Sequence, residues 1–318
     1  PMAARRILLI ANPASGHHRG ERRLAQASER LASLGHAVTA TLTESAGHAT
    51  RLAKSNAPDF EIIAALGGDG TVNEVANGLM AVEPGERPAL ATLPVGTGND
   101  VALTYGLAHF ESAIDALAKG STRTLDVIRV QLMRDGKSVT RHALLFVAAG
   151  FAAEVIRKTG PRVKRIFGRR FSYSVGLFRA LASFRAPEFS VKWDGGEKQE
   201  CLFQVCAGNT EFAAGGVMRI SPGARPDDGL LNISLVGAMG RLGIVRRFPS
   251  ILSGRYVEDE RVDYFTGKRL EIDAVPPAEI QADGDIIGTT PATVELLPGA
   301  LRLVVPESIT KAKVTTPK

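Results

Sequence analysis

Over its first 120 residues the chain alternates short apolar runs with stretches of helical periodicity, and this alternation restricts the fold more than any other feature. The apolar runs are RRILLIAN (5–12), HAVTATLT (36–43), FEIIAALG (60–67) and PALATLPVG (88–96). Helical patterns fall between them over about 20–34, 48–55 and 72–80, with another near 111–119. A β-α-β-α order argues for a parallel sheet wound with helices on both faces, because parallel neighbours need a crossover connection. After Asp126 the pattern becomes β-runs punctuated by Asp135-Gly136, Asp194-Gly195-Gly196, Asp228-Gly229 and Asp283-Gly284, each read as a hairpin signal. One helical interruption is expected around 171–185. The fold expected is therefore α/β plus all-β: an N-terminal parallel α/β domain over 1–125, and an antiparallel β-sandwich domain, with a barrel as the alternative, over 126–304. The segment 305–318 is left free to return to the first domain.

With 318 residues, 44% apolar and 23% charged, the chain has the composition of a soluble two-domain protein. Its longest strongly apolar stretch without a charge, ALLFVAAGFAA (143–153), is about half of the ~20 residues a membrane span needs. The N-terminal PMAARRILLI lacks the long apolar region of a secretory signal. Cys201 and Cys206 lie five apart in one strand-like run, on opposite faces, which disfavours a disulfide and fits a reducing cytoplasm. The net charge of +6 is concentrated: Arg157, Lys158, Arg162, Lys164, Arg165, Arg169 and Arg170 run without an intervening acid, and GRLGIVRRF (240–248) forms a smaller cluster. A solvated basic face, a nucleic acid, an anionic membrane surface and a phosphorylated substrate all suit such charge. The six histidines form no metal set, since none stands at ligand spacing from a cysteine.

The third apolar run ends in Gly67-Gly68-Asp69-Gly70-Thr71 and leads into a helix, which places these residues at the carboxyl edge of the parallel sheet, where such folds bind ligands. Glycines let the backbone turn sharply and approach a ligand, and a helix N-terminus offers unpaired N–H groups to an anion. A phosphate cradle is expected. A dinucleotide fingerprint is excluded, because Asn73 and Val101 stand where its last glycine belongs, and a P-loop fails because Gln131 replaces the glycine that Gly136-Lys137-Ser138 would need. Two further strand ends carry the same chemistry: IANPASG (10–16) and PVGTGND (94–100). Three loops of small polar residues at strand carboxyl ends should converge on one crevice.

NPASG, GGDGTVNEV and PVGTGND, in this order, resemble the diacylglycerol kinase catalytic domain of the bacterial diacylglycerol and sphingosine kinase-like lipid kinases. VAAGFAAEV (147–155), AGNTEFAAGGVMRISPGARPDDGLLNISLV (207–236) and IQADGDIIGTTP (280–291) resemble the family's later motifs. The resemblance implies an ATP-dependent lipid kinase, with the active site in the cleft between its domains. It implies ATP contacts at Asn12, Pro13, Ala14, Ser15, Gly16, Thr43, Gly67, Gly68, Asp69, Gly70, Thr71, Val72, Asn73, Glu74, Gly96 and Thr97. The family places its base at the glutamate of an Asp-Gly-Glu motif; here Asp285, one methylene shorter, stands there, and Asp69 is the other candidate, as base or through Mg2+. RPDDGLLN (225–232) is similar to the family's structural magnesium site, with the Asp228 carboxylate joined by carbonyls of Arg225 and Leu230, Asp227 an alternative ligand, and Asp100 and Asp126 reaching the metal through water. The implied partner is a lipid substrate at an anionic membrane surface, met through the basic segment with Phe167 and Phe171; no nucleic acid is expected, and a homodimer is left open. Cytoplasmic location with peripheral membrane association follows. Two other readings stay open: an NAD kinase-like transferase acting on a soluble hydroxyl, and a nucleotide-binding sensor without catalysis.

Overall fold

The computed structural model describes residues 4–96, 98–159 and 175–310. It divides into two compact units. The first takes in the chain up to Val127, Phe212–Gly216 and the chain from Pro298 on, and the second holds Ile128–Glu211 and Val217–Leu297.

In the first unit the order is β1 (Arg6–Ala11), α1 (Ser15–His18), α2 (Gly20–Ser33), β2 (Ala37–Leu42), α3 (His48–Asn56), β3 (Ile62–Gly67), α4 (Asp69–Met80), β4 (Ala89–Pro94), α5 (Asp100–Thr104) and α6 (Phe110–Lys119). The strands are parallel in the order β2-β1-β3-β4. β3 and β4 are buried along their whole length, as strands covered on both faces must be, whereas the edge strand β2 keeps Ala37, Thr39 and Ala40 exposed. α2 shows why the helices form: Leu24, Ala27 and Leu31, spaced three and four apart, are buried while Arg22 and Arg30 face water.

Two features differ from the sequence reading. The short helices α1 and α5 occupy stretches read as loop. α4 begins at Asp69 rather than near 72, because the carbonyl of Gly68 accepts from the N–H of both Thr71 and Val72 and so closes the first turn three residues early.

The second unit contains β5 (Thr122–Arg134, from Ile128 on), β6 (Lys137–Ala143), β7 (Phe146–Gly150), α7 (Phe151–Lys158), α8 (175–183), β8 (Glu188–Trp193) and β9 (Gly196–Gly208). The two-residue strands β10 (Phe212–Ala213, in the first unit) and β11 (Met218–Arg219) follow. Then come β12 (Leu231–Gly237), α9 (Arg241–Ser253), β13 (Val262–Gly267), β14 (Arg269–Val275), β15 (Glu279–Ala282), β16 (Asp285–Thr289) and β17 (Ala292–Val304). The strand pairs within this unit are antiparallel. β9 belongs to both layers, since its first half pairs with β8 and its second half with β7 and β12. The layers enclose one core in which Phe189, Val191, Val205, Ile233, Leu270, Ile272, Ile280 and Val294 are buried. β14 alternates exposed and buried residues, the signature of a strand with one wet face. β12 is buried throughout, because α7, α8 and α9 gather a second small core of Phe151, Val155, Ala180, Phe203, Val236 and Ile244.

Three of the four Asp-Gly signals join paired neighbours: Asp135-Gly136 joins β5 to β6, Asp194-Gly195 joins β8 to β9, and Asp283-Gly284 joins β15 to β16. At the first and last of these both central residues have positive φ, as a type I′ turn demands. Asp228-Gly229 is not a hairpin: it leads into β12, whose partners are β9 and β13, and the Asp228 carboxylate instead accepts from the Leu230 N–H (3.0 Å) in a local turn. The expected helix around 171–185 is present over 175–183, and residues 171–174 lie outside the described residues. Cys201 is exposed and Cys206 buried, with no disulfide. The last strand rejoins the first unit from Pro298: Leu303 pairs in parallel with Leu90, and the Ala300 carbonyl accepts from Arg87 (2.8 Å).

Gly78, in the middle of α4, gives a test of this packing. A Cβ there would lie 2.4 Å from the Thr50 carbonyl oxygen and 2.7 Å from the Ala53 Cβ of α3. Alanine favours an isolated helix by about 1 kcal/mol over glycine, but overpacking typically costs about 1–3 kcal/mol. Gly78→Ala should therefore lower the midpoint of thermal or urea unfolding rather than raise it.

Candidate active site

The three glycine-bearing loops of the first unit meet. β3 passes its hydrogen bonding into both flanking loops, the Leu66 carbonyl accepting from Asn12 N–H (3.1 Å) and the Gly67 carbonyl from Val95 and Gly96 N–H (3.0 and 3.2 Å). The backbones then touch: a Cβ on Gly96 would sit 2.6 Å from the Gly68 Cα, and one on Gly16, at φ +60°, would sit 2.6 Å from the Val95 carbonyl oxygen. Gly67 is bare because the Thr71 side chain fills the space, its Oγ1 2.4 Å from where a Cβ would stand. In the first loop the Asn12 carboxamide oxygen accepts from Ala14 N–H (3.0 Å), which folds Pro13 and Ala14 into a turn and starts α1 at Ser15. Thr43 follows β2, its N–H bonded to the Ala11 carbonyl (2.8 Å). Thr97 and the basic residues 162–170 with Phe167 and Phe171 lie outside the described residues.

The opening of α4 is the bare part of this cluster. The N–H groups of Asp69 and Gly70 have no partner among the described residues, and a Cβ on Gly70 would meet nothing within 4 Å. Donors at a helix start beside open space suit an anion. Two carboxylates stand next to them. Asp69 accepts from the Val101 N–H (3.2 Å), and the Oδ2 atoms of Asp69 and Asp100 both adjoin Gly98, at 2.9 and 3.8 Å from the position of its absent Cβ. Asp100 is buried and accepts from the N–H of Gly215 and Gly216 (2.8 and 3.0 Å). Burial pushes its carboxyl above the ordinary range and the nearby Asp69 charge adds to this, while the N–H bonds from Gly215 and Gly216 pull it back. The buried Asn99 Oδ1, also without a partner, lies 3.0 Å from the absent Cβ of Gly96.

Other expected site residues are engaged within their own units. The Glu74 carboxylate accepts from Gly47 and Ala49 N–H (2.9 and 3.2 Å) and so caps α3. Thr71 and Val72 are buried, and the Asn73 side chain is bonded to Asn77 (3.0 Å). Buried Asp126 accepts from Gly299 N–H (2.7 Å). In the second unit Arg225 pairs with Asp227 (3.6 Å), and Asp228 is exposed beside Leu230. No group of three or more His, Cys, Asp or Glu side chains among the described residues could hold a metal.

Asp285 is exposed at the first position of β16. The hairpin that presents it is clamped by Asp283, whose carboxylate accepts from the N–H groups of Leu144, Leu145 and Phe146 (2.7, 2.9 and 3.0 Å), and by buried Gln281, which accepts from Gly284 N–H (2.8 Å). The sequence reading gave no site role to Asp283, Gln281, Asn99 or the Gly215-Gly216 pair; for Asp283 and the glycine pair the partners stand 139 and 115 residues away. The acid-free basic run is also changed: Arg157 and Lys158 both pair with Glu154 (2.6 and 3.3 Å), one helical turn earlier, and Arg157 also with Glu279 (3.4 Å).

Two substitutions separate shape from ligand binding. Gly70→Ala should leave thermal stability unchanged or slightly raised, since the Cβ enters open space, while weakening nucleotide binding by about tenfold or more in calorimetry. Gly96→Ala should lower stability and nucleotide binding together, because it forces two backbones apart. Asp283→Ala leaves three N–H groups without their acceptor and should cost about 3 kcal/mol in urea unfolding.

Residues 6–130 match the diacylglycerol kinase catalytic domain, and residues 145–305 match the YegS C-terminal NAD kinase beta sandwich-like domain. A diacylglycerol kinase of Bacillus subtilis (strain 168) is 27% identical over 308 residues, covering 95% of this chain and 97% of the relative. A diacylglycerol kinase of Staphylococcus aureus (strain MRSA252) is 28% identical over 292 residues, covering 91% and 88%. The crystal structure of a candidate diacylglycerol kinase from Bacillus anthracis str. Sterne superposes with a TM-score of 0.78 at 27% identity, covering 96% of each chain. Yeast NADH kinase complexed with NADH, at 11% identity and a TM-score of 0.52 over 97% of this chain and 86% of that one, shares the fold. A parallel α/β unit with three converging glycine loops, followed by an antiparallel sandwich, places the chain in the bacterial diacylglycerol kinase-like family, which joins a diacylglycerol kinase catalytic domain to a YegS-type C-terminal domain.

Proposed function

We propose that this protein is an ATP-dependent lipid kinase that transfers the γ-phosphate of ATP to a hydroxyl of a lipid such as diacylglycerol. The observation that carries the reading is the bare opening of α4, with its two unpartnered N–H groups, its unfilled space at Gly70 and its adjoining carboxylates, in a chain of a kinase family. Phosphoryl transfer is mostly positioning and charge neutralisation, so N–H donors beside a cleared backbone are what the triphosphate requires.

The donors present suit magnesium in a particular way. Asp69 and Asp100 are hard oxygen ligands, the Asp69 charge disfavours that of Asp100, and with only two carboxylates the remaining positions would fall to phosphate oxygens and water, as is usual for Mg2+. Bound there, the cation would neutralise charge on the transferring phosphate. The RPDDG loop supplies the Asp228 carboxylate and the Arg225 and Leu230 carbonyls for a second, structural ion.

The acceptor hydroxyl must lose a proton. We assign that role to Asp285, because its carboxylate is exposed on a hairpin held by Asp283 and Gln281. Asp69 then serves beside the phosphates. The relatives' name is the ground for choosing a lipid alcohol as acceptor.

Purified protein given γ-labelled ATP, Mg2+ and a total lipid extract should label a lipid; label appearing only in a soluble acceptor, or in none, would overturn the reading. Asp69→Ala should abolish turnover with circular dichroism unchanged. Asp285→Asn should lower kcat by about a hundredfold or more with nucleotide affinity retained, the usual size of a general-base contribution; retained kcat would move the base elsewhere.

A further inference from the structure

α9 carries an exposed face that no other described residue covers. Ile244 is buried in the small core beneath β12, which fixes the rotation of the helix. Turned away from it, Leu242 and Val245 are 71% and 56% exposed, a costly state for large aliphatic side chains. Projected at about 100° per residue, the exposed positions run in the order Arg241, Val245, Pro249, Leu242, Ser253, Arg246 across an arc of about 140°. An apolar stripe is thus bordered by an arginine on each side.

The charge on this face is unopposed. No acid occurs in Arg241–Ser253. Arg247 is paired with Asp259 (2.5 Å) and Arg255 with Glu258 (3.5 Å), whereas Arg241 and Arg246 have no acidic partner among the described residues. α8, packed on the same small core, adds a third outward apolar side chain, Phe178, 70% exposed.

We propose that α9 docks this protein on an anionic lipid bilayer, with Leu242, Val245 and Pro249 entering the headgroup boundary and Arg241 and Arg246 among the lipid phosphates. The order of side chains selects this occupant. An interfacial helix needs an apolar centre with cations at its margins, so that both meet their medium at one depth. A nucleic acid would place phosphates against the aliphatic centre, and a second copy of the same stripe would bring like-charged arginines together. The proposal rests on the lipid kinase reading for the reason the surface exists, but the docking is measurable without turnover.

The test is cosedimentation of the full chain with vesicles of equimolar phosphatidylcholine and phosphatidylglycerol, and with phosphatidylcholine alone. Wild type should bind the anionic vesicles and lose that binding as salt rises. Leu242→Ser/Val245→Ser and Arg241→Gln/Arg246→Gln should each reduce it by about tenfold, with melting temperature and nucleotide binding unchanged. Equal binding by both double variants and wild type would overturn the proposal, as would equal wild-type binding to both vesicle types, or a dimer in sedimentation velocity that both variants abolish. If the variants lose binding while no lipid is ever phosphorylated, docking stands and the kinase reading falls; if lipid in vesicles is phosphorylated equally by all three, docking falls and the kinase reading stands.

Discussion

The contact between the backbones of Gly68 and Gly96 is the constraint on which the first unit's chemistry depends. A methyl group on Gly96 would overlap Gly68. Their approach lets Gly67 hold Val95 and Gly96 by one carbonyl, starts α4 at Asp69, and brings the Asp69 carboxylate onto the loop that carries Gly98 and Asp100. Bareness here therefore has two separable causes. Gly16, Gly67 and Gly96 are bare because other parts of the protein fill the space, whereas Gly70 is bare beside emptiness. Only the second kind leaves room for a ligand.

The two carboxylates beside that emptiness are arranged at a cost. Asp100 is taken out of water and set near another acid, and both effects disfavour its charge. Three consecutive residues of positive φ, Ala214, Gly215 and Gly216, bend so that two N–H groups meet its carboxylate. This explains why residues 212–216 join the first unit although the chain around them belongs to the second. A cation or a hydrogen-bond donor added beside Asp100 would favour its charged form and offset both effects.

In the second unit the same economy appears at the hairpin of Asp283 and at α9. Asp283 gathers three successive N–H groups of the chain entering β7, so the turn that carries Asp285 is fixed by a partner remote in sequence. α9 buries one residue deeply, Ile244, and leaves its aliphatic neighbours in water. A helix that served only to cover β12 would have no use for that exposed stripe.

The strands and main helices of the first unit were legible because their determinants are local: apolar runs buried on both faces and a 3.6-residue period in α2 and α6. The hairpins at 135, 194 and 283 were legible for the same reason, since Asp-Gly between apolar runs favours a tight turn wherever it stands, at 135 and 283 with positive φ at both residues. Asp228-Gly229 misled because the same dipeptide also closes local loops, and choosing between the two needs the strand pairing. By itself the sequence determined the alternation of elements, the glycines of the cradle, the acids at 69, 100 and 285, and the family. Only the tertiary structure decided which glycines are packed and which open, which acids are clamped or left outward, which basic residues keep an unopposed charge, and that Phe212–Gly216 and the end of β17 belong with the first unit. The physical reason is that propensity and turn chemistry act over a few residues, whereas burial, hydrogen-bond satisfaction and charge pairing are set by whichever remote segments the fold brings into contact.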